Sequence, residues 1–294
     1  MLLGYVTDSI YVEAEPLMRH LYPNFDDMDE PEKDDKLEKI ALRYQDLITE
    51  YYDELSTNVF NTPSHRLEMK TEAVIRSAYF RATRRYAQWI TKKEGVPTKP
   101  GKELDIKGLE FKKTNFPKVL GKFFKQTLIE VLKGETQNAI DVKIKSFKLQ
   151  ILNGEIPFQE IGNPTSVKTL KKYQAGQPLA GQIFSPLIKG APAPVKAAVA
   201  YNDLLKFWKL NKTHVTITSG DKIKWVYLKS NPYHLDALAF LDYDMPDKIK
   251  SFIEEYINYQ HIFDTILSNK LENFYNDLGW TLDLNDYKKN FFKF

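Results

Sequence analysis

Cysteine is absent from all 294 residues, which excludes disulfides and thiolate-held metals and suits a reducing compartment. Long apolar runs are missing too: none approaches the roughly 20 residues that span a bilayer. Met1-Leu2-Leu3-Gly4 has neither the basic flank nor the length of a secretory signal. Histidine is scarce, and no spacing among the five, His20 and His65 included, forms a metal-ligand or triad pattern. The chain therefore reads as a soluble intracellular protein with no membrane partner. What is abundant is core material, 43% hydrophobic residues, enough for one large or two ordinary domains.

The net charge of +3 conceals a segregation along the chain. Residues 24–54 hold twelve acids against four bases, whereas residues 66–125 hold sixteen Lys or Arg against six acids. The basic stretch is interleaved with Tyr79, Phe80, Tyr86 and Trp89, a composition that suits a surface following a phosphate backbone. It equally suits a solvated charged face backed by core aromatics.

Ile10 to Ala14 alternates and favours a strand after a turn at Thr7 to Ser9. Leu37, Ile40, Ala41, Tyr44, Leu47, Ile48, Tyr51 and Leu55 recur at helical spacing, so residues 36–57 form an expected amphipathic helix covering a sheet. Leu67 to Ile75, Ser77 to Thr91 and Leu104 to Lys112 read as strands. Beyond Pro117, helices are expected over 116–134, 136–152, 195–210 and 246–278. A small β element is expected at 215–218 and 223–228, and irregular structure over the Gly- and Pro-rich residues 154–194. The expected fold class is α+β, with an antiparallel sheet carrying helices on one face over residues 1–115, a mainly helical part over 116–286 and a short tail from 287 to 294.

Several blocks in order resemble family B DNA polymerases, specifically the replicative branch of T-even-type bacteriophages. Thr7-Asp8-Ser9 is similar to the second half of the Asp-Thr-Asp-Ser motif. Arg84-Arg85-Tyr86-Ala87 is similar to the Lys-Lys-Arg-Tyr block, and Leu104-Asp105-Ile106-Lys107-Gly108-Leu109-Glu110 to the Lys-x-x-Gly-x-Glu block. Lys112-Lys113-Thr114-Asn115-Phe116-Pro117-Lys118, Val195-Lys196-Ala197 with Tyr201-Asn202, and Gly220-Asp221-Lys222 with Asn231-Pro232-Tyr233 resemble the palm-to-thumb passage and two thumb segments.

The resemblance implies the C-terminal polypeptide of a split DNA polymerase, the end of the palm plus the thumb, working in the cytoplasm of an infected bacterial host. An N-terminal polymerase chain would supply exonuclease, fingers and the rest of the palm. Phosphoryl transfer from dNTP needs divalent ions held by hard oxygen ligands. The implied catalytic residues are Asp8, also the Mg²⁺ ligand of a two-metal site shared with the partner chain, and Glu72. The implied contacts to primer-template DNA are Arg84, Arg85, Tyr86, Lys107, Lys112, Lys113 and Lys196. Arg84 and Tyr86, two apart, are expected on one side of a strand. Phe291, Phe292 and Phe294 are the implied anchors for a sliding clamp. Val6 stands where the family has its first acid and Lys70 where the phage branch has another. These departures favour the alternative of a non-catalytic DNA-binding or clamp-tethering remnant of a thumb.

Overall fold

The computed structural model describes residues 2–6, 9–109, 111 and 114–282, with side chains from residue 10 onward. Helices and antiparallel sheets make it an α+β protein, and it divides into two compact units, Met1–Lys107 and Gly108–Phe294. The sequence had placed that boundary near residue 115. Among the described residues no helix is long and apolar enough to cross a membrane.

The first unit opens with strands β1 (Leu2–Val6) and β2 (Ser9–Val12), paired antiparallel, followed by helix α1 (Glu15–Leu21). Helix α2 (Glu30–Glu54) starts at Asp29, whose carboxylate accepts the backbone N–H of Glu32, a regular N-cap. It thus begins six residues ahead of the expected 36 and passes into a π-helical turn at Leu55–Val59. The central sheet has β4 (Arg85–Lys93) paired with β3 (Ala73–Ala82) and with β5 (Val96–Pro97) and β6 (Leu104–Lys107).

Three strand expectations need correction. Ser77 to Thr91 is a hairpin rather than one strand: the chain turns at Thr83 and Arg84, and Arg84 takes a left-handed φ of 61°. No Gly, Pro, Asn or Asp marks that turn, so nothing in its composition announces it. Pairing of β3 starts only at Ala73 opposite Lys93, where β4 ends; residues 67–72 have no strand to pair with. The third strand stops at Lys107, where Gly108 turns the chain with φ 66°.

Two pairs of ion bridges pin α2 to the sheet. Arg76 on β3 reaches Glu30 and Asp34, each at 2.8 Å, and Lys92 on β4 reaches Asp35 and Glu38. Hydrogen bonds to Asp35 and then Glu38 raise the pKa of Lys92, and Lys92 lowers that of Asp35. Gln45 adds a hydrogen bond from the backbone N–H of Thr71 at 2.7 Å. The acidic and basic stretches of the sequence are thus partly each other's partners.

In the second unit, α3 (Lys118–Leu132) and α4 (Gln137–Leu152) pack through Phe123 and Phe147, stacked at 3.9 Å. Lys118, Lys122 and Lys125 lie exposed, whereas Leu120, Phe123, Phe124 and Leu128 are buried, as the apolar spacing requires. Residues 154–194 are less irregular than expected, holding α5 (Phe158–Ile161), edge strand β7 (Asn163–Ser166) and α6 (Leu170–Tyr173). Pro164 is tolerated because β7 is an edge. Strand β8 (Lys222–Tyr227) runs between β7 and β9 (Ala237–Phe240). Helix α7 (Ala193–Phe207) packs on β9 and is buried nearly all round, with Ala197, Ala198 and Ala200 allowing close approach.

The expected strand at 215–218 is absent because side chains take its hydrogen bonds. Val215 N–H donates to Asp244, Ile217 N–H to Asn202 and Thr218 N–H to Asp221. The long helix expected over 246–278 is broken at Ile257 and Asn258, where Asn258 N–H donates to the Tyr227 carbonyl. It becomes α8 (Asp247–Tyr256), α9 (Tyr259–Ile262), a π-helical turn at Phe263–Ser268 and α10 (Asn269–Asp277).

A Cβ on Gly162 would lie 2.8 Å from Cζ of the fully buried Phe240, so Gly162→Ala is expected to cost roughly 1–3 kcal/mol, read as a lower urea midpoint. Asp244 holds the Val215 N–H and His214 Nδ1, and these lower its pKa below the ordinary carboxylate value. A depressed carboxyl stabilises above its unfolded pKa of about 3.9 and loses that contribution as pH falls through the folded value. The stability gap between wild type and Asp244→Asn is therefore expected to be widest near neutrality and to narrow in acid.

Candidate nucleic-acid interface

The tip of the β3–β4 hairpin brings together much of what the sequence singled out. Tyr86 stands opposite Phe80 on β3 and opposite Lys107 on β6, so the three side chains share one sheet face. Tyr11 from β2 covers that face: its ring lies 5.2 Å from Phe80 and 6.1 Å from Tyr86, both edge-on, and Phe80 and Tyr86 are 5.8 Å apart. Lys107 Nζ sits 5.6 Å from the centre of the Tyr86 ring and hydrogen-bonds its hydroxyl, which raises the lysine pKa. Burial, then the hydrogen bond with Tyr86, raises the pKa of Tyr11.

Gln88, next on the same face, is 4% exposed, and its amide nitrogen approaches Tyr11 without completing a hydrogen bond. Behind it, Ala87, Tyr79 and Ile106 are buried on the other face. Tyr86 is thus both a core residue and a neighbour of charge.

Arg84 and Arg85 flank this cluster, exposed and making no ion pair among the described residues. The expectation that Arg84 and Tyr86 share a strand side is not met: Arg84 occupies the turn, and the cation that shares the face of Tyr86 is Lys107, across the ladder. Tyr11 was missed as a site residue. Its signal was available, since it belongs to the strand after the Thr-Asp-Ser block, but only the packing of β2 onto the hairpin reveals its neighbours.

The other expected site residues do not gather here. Glu72 is exposed and its carbonyl accepts the Glu94 N–H at 2.8 Å; Lys70, also exposed, pairs with Glu68 at 3.2 Å. Lys196 belongs to the second unit, on α7, 3.8 Å from Asp236. It borders a hollow of about 150 Å³ lined also by Phe184, Ser185 and His234, smaller than the roughly 300 Å³ at which small-molecule pockets begin. Asp8, Lys112, Lys113, Phe291, Phe292 and Phe294 lie outside the described residues.

Among the described residues no three His, Asp or Glu side chains converge. No protein-family model matches the chain, and no curated protein matches it.

The cluster implies that ring and hydroxyl of Tyr86 have separable roles. Tyr86→Ala is expected to destabilise the protein by about 3 kcal/mol or more, and Tyr86→Phe by about 1 kcal/mol, in urea unfolding.

Proposed function

We propose that the chain contributes the last palm strands and the thumb of a family B DNA polymerase of the T-even-type phage replicative branch. The observation that supports this reading is the hairpin tip, where Arg84 and Arg85, exposed and without an ion pair among the described residues, flank a sheet face carrying Tyr86 and Lys107. The exposed cations can meet phosphates, which positions a primer without reading its sequence, while the buried Tyr86 ring holds Lys107 in place. In this reading Tyr86 and Lys107 hold the primer near its 3′ end, with Tyr11 fixing the Tyr86 ring.

Asp8 is assigned as the metal-binding carboxylate on its sequence motif alone. Mg²⁺ supplies the Lewis acid for nucleotidyl transfer from dNTP when the whole site is assembled. The exonuclease, fingers and other palm carboxylate come from sequence outside these 294 residues. The final phenylalanines hold a sliding clamp.

A second reading, a DNA-binding or clamp-tethering thumb without catalysis, is favoured by Lys70, which is exposed and paired with Glu68 rather than set among acids. Primer extension separates the two. Combined with the polymerase portion that completes it, the chain is expected to support synthesis, and Asp8→Asn to abolish it while leaving primer-template binding intact. An unchanged extension rate in Asp8→Asn would remove Asp8 from the reaction.

A further inference from the structure

Helix α2 carries an apolar seam that the rest of the chain covers in part: Leu37 and Ile40 are half-buried, whereas Tyr44, Leu47 and Tyr51 are exposed. Its sheet-facing side is defined by Asp34, Glu38 and Gln45, the residues that contact β3, β4 and the segment before β3. Ala41, Ile48 and Tyr52 fall on or beside that side and are half-buried. Leu37, Ile40, Tyr44, Leu47 and Tyr51 form a different line, spaced alternately by three and four residues, the repeat of a coiled-coil seam. It lies roughly a third of a turn round the helix from the sheet-facing side. Tyr44, Leu47 and Tyr51 are 48%, 43% and 58% exposed, a large apolar surface to leave in water.

The charges beside this seam say what fits it. Lys36, Lys39 and Arg43 flank its N-terminal half; Asp46, Glu50 and Glu54 flank its C-terminal half. Arg43 and Glu50, seven residues apart and therefore on the same edge, are exposed and make no ion pair among the described residues. Such a helix is complementary to itself reversed. About a two-fold axis between Tyr44 and Leu47, an antiparallel second copy sets Tyr44 against Leu47 and Ile40 against Tyr51. It also brings Arg43 to within two residues of level with Glu50 of the second copy on the same edge, within reach of the two long side chains, twice over. A parallel copy would set basic half against basic half.

We propose that α2 is a homodimerisation helix, pairing antiparallel with α2 of a second copy of this chain through Ile40, Tyr44, Leu47 and Tyr51. The proposal is independent of the polymerase reading, since it uses no residue of the hairpin tip. The opposite edge of the seam is occupied by the chain's own sheet, so one copy fits and a bundle does not.

Sedimentation equilibrium of the full chain, from low micromolar to near-millimolar concentration, tests this. The wild type is expected to be a monomer–dimer equilibrium. Leu47→Glu, at an exposed position, is expected to be monomeric with an unchanged circular dichroism spectrum. Arg43→Glu faces Glu50 of the second copy with a like charge and is expected to weaken the dimer about tenfold or more at low salt, and Arg43→Glu with Glu50→Arg to restore it. A wild type that stays monomeric throughout overturns the proposal. So does a dimer insensitive to Leu47→Glu, or a double variant that associates no better than Arg43→Glu alone.

Discussion

The bridging of α2 to the β3–β4 hairpin by Arg76 and Lys92 is the constraint on which the first unit depends. Each cation is shared between two carboxylates, at Glu30 and Asp34 or Asp35 and Glu38, and together they fix the rotation of α2 about its axis. That rotation decides which apolar residues meet the sheet and which remain outside. Single exposed pairs contribute little, but four carboxylates on consecutive turns held by two cations form a network with a defined geometry. The same bridges consume part of the basic stretch, whereas Arg84 and Arg85 at the hairpin tip make no ion pair among the described residues.

The second unit is ordered differently, by buried polar side chains that take the place of missing ladders. Asp203, 2% exposed on α7, accepts both the backbone N–H of Ser185 at 2.7 Å and its hydroxyl, which ties the Gly- and Pro-rich segment to the central helix. Asn231 accepts the N–H groups of Tyr233 and Leu235 and donates to the carbonyls of Lys229 and Leu235, closing the loop before β9. Buried backbone groups must find partners, and where strands do not supply them these side chains do.

How legible this was in the sequence follows from the kind of signal each element carries. Helices α3, α4 and α7 were readable because long apolar periodicity and caps such as Thr136 are local. The hairpin turn at Arg84 was not, because a left-handed Arg between two β-rich runs carries no turn residue and is selected by the ladder of β3 with β4. Strand β7 was hidden in a stretch read as irregular, since its only pairing partner lies far along the chain. At the candidate site, Tyr86 and Lys107 were legible as residue types, but their union across a ladder, and the arrival of Tyr11, are tertiary facts. The apolar spacing of α2 was legible too; that only part of it meets the sheet was not.

The central functional claim is that the hairpin tip binds nucleic-acid phosphates, and the salt dependence of primer-template affinity tests it most directly. Each cation that neutralises a phosphate contributes about 0.9 to the slope of log affinity against log salt concentration. Replacing Arg84, Arg85 and Lys107 together by alanine is predicted to reduce that slope by about 2–3 and to weaken binding at low salt. A slope and affinity unchanged by the three substitutions would contradict the account.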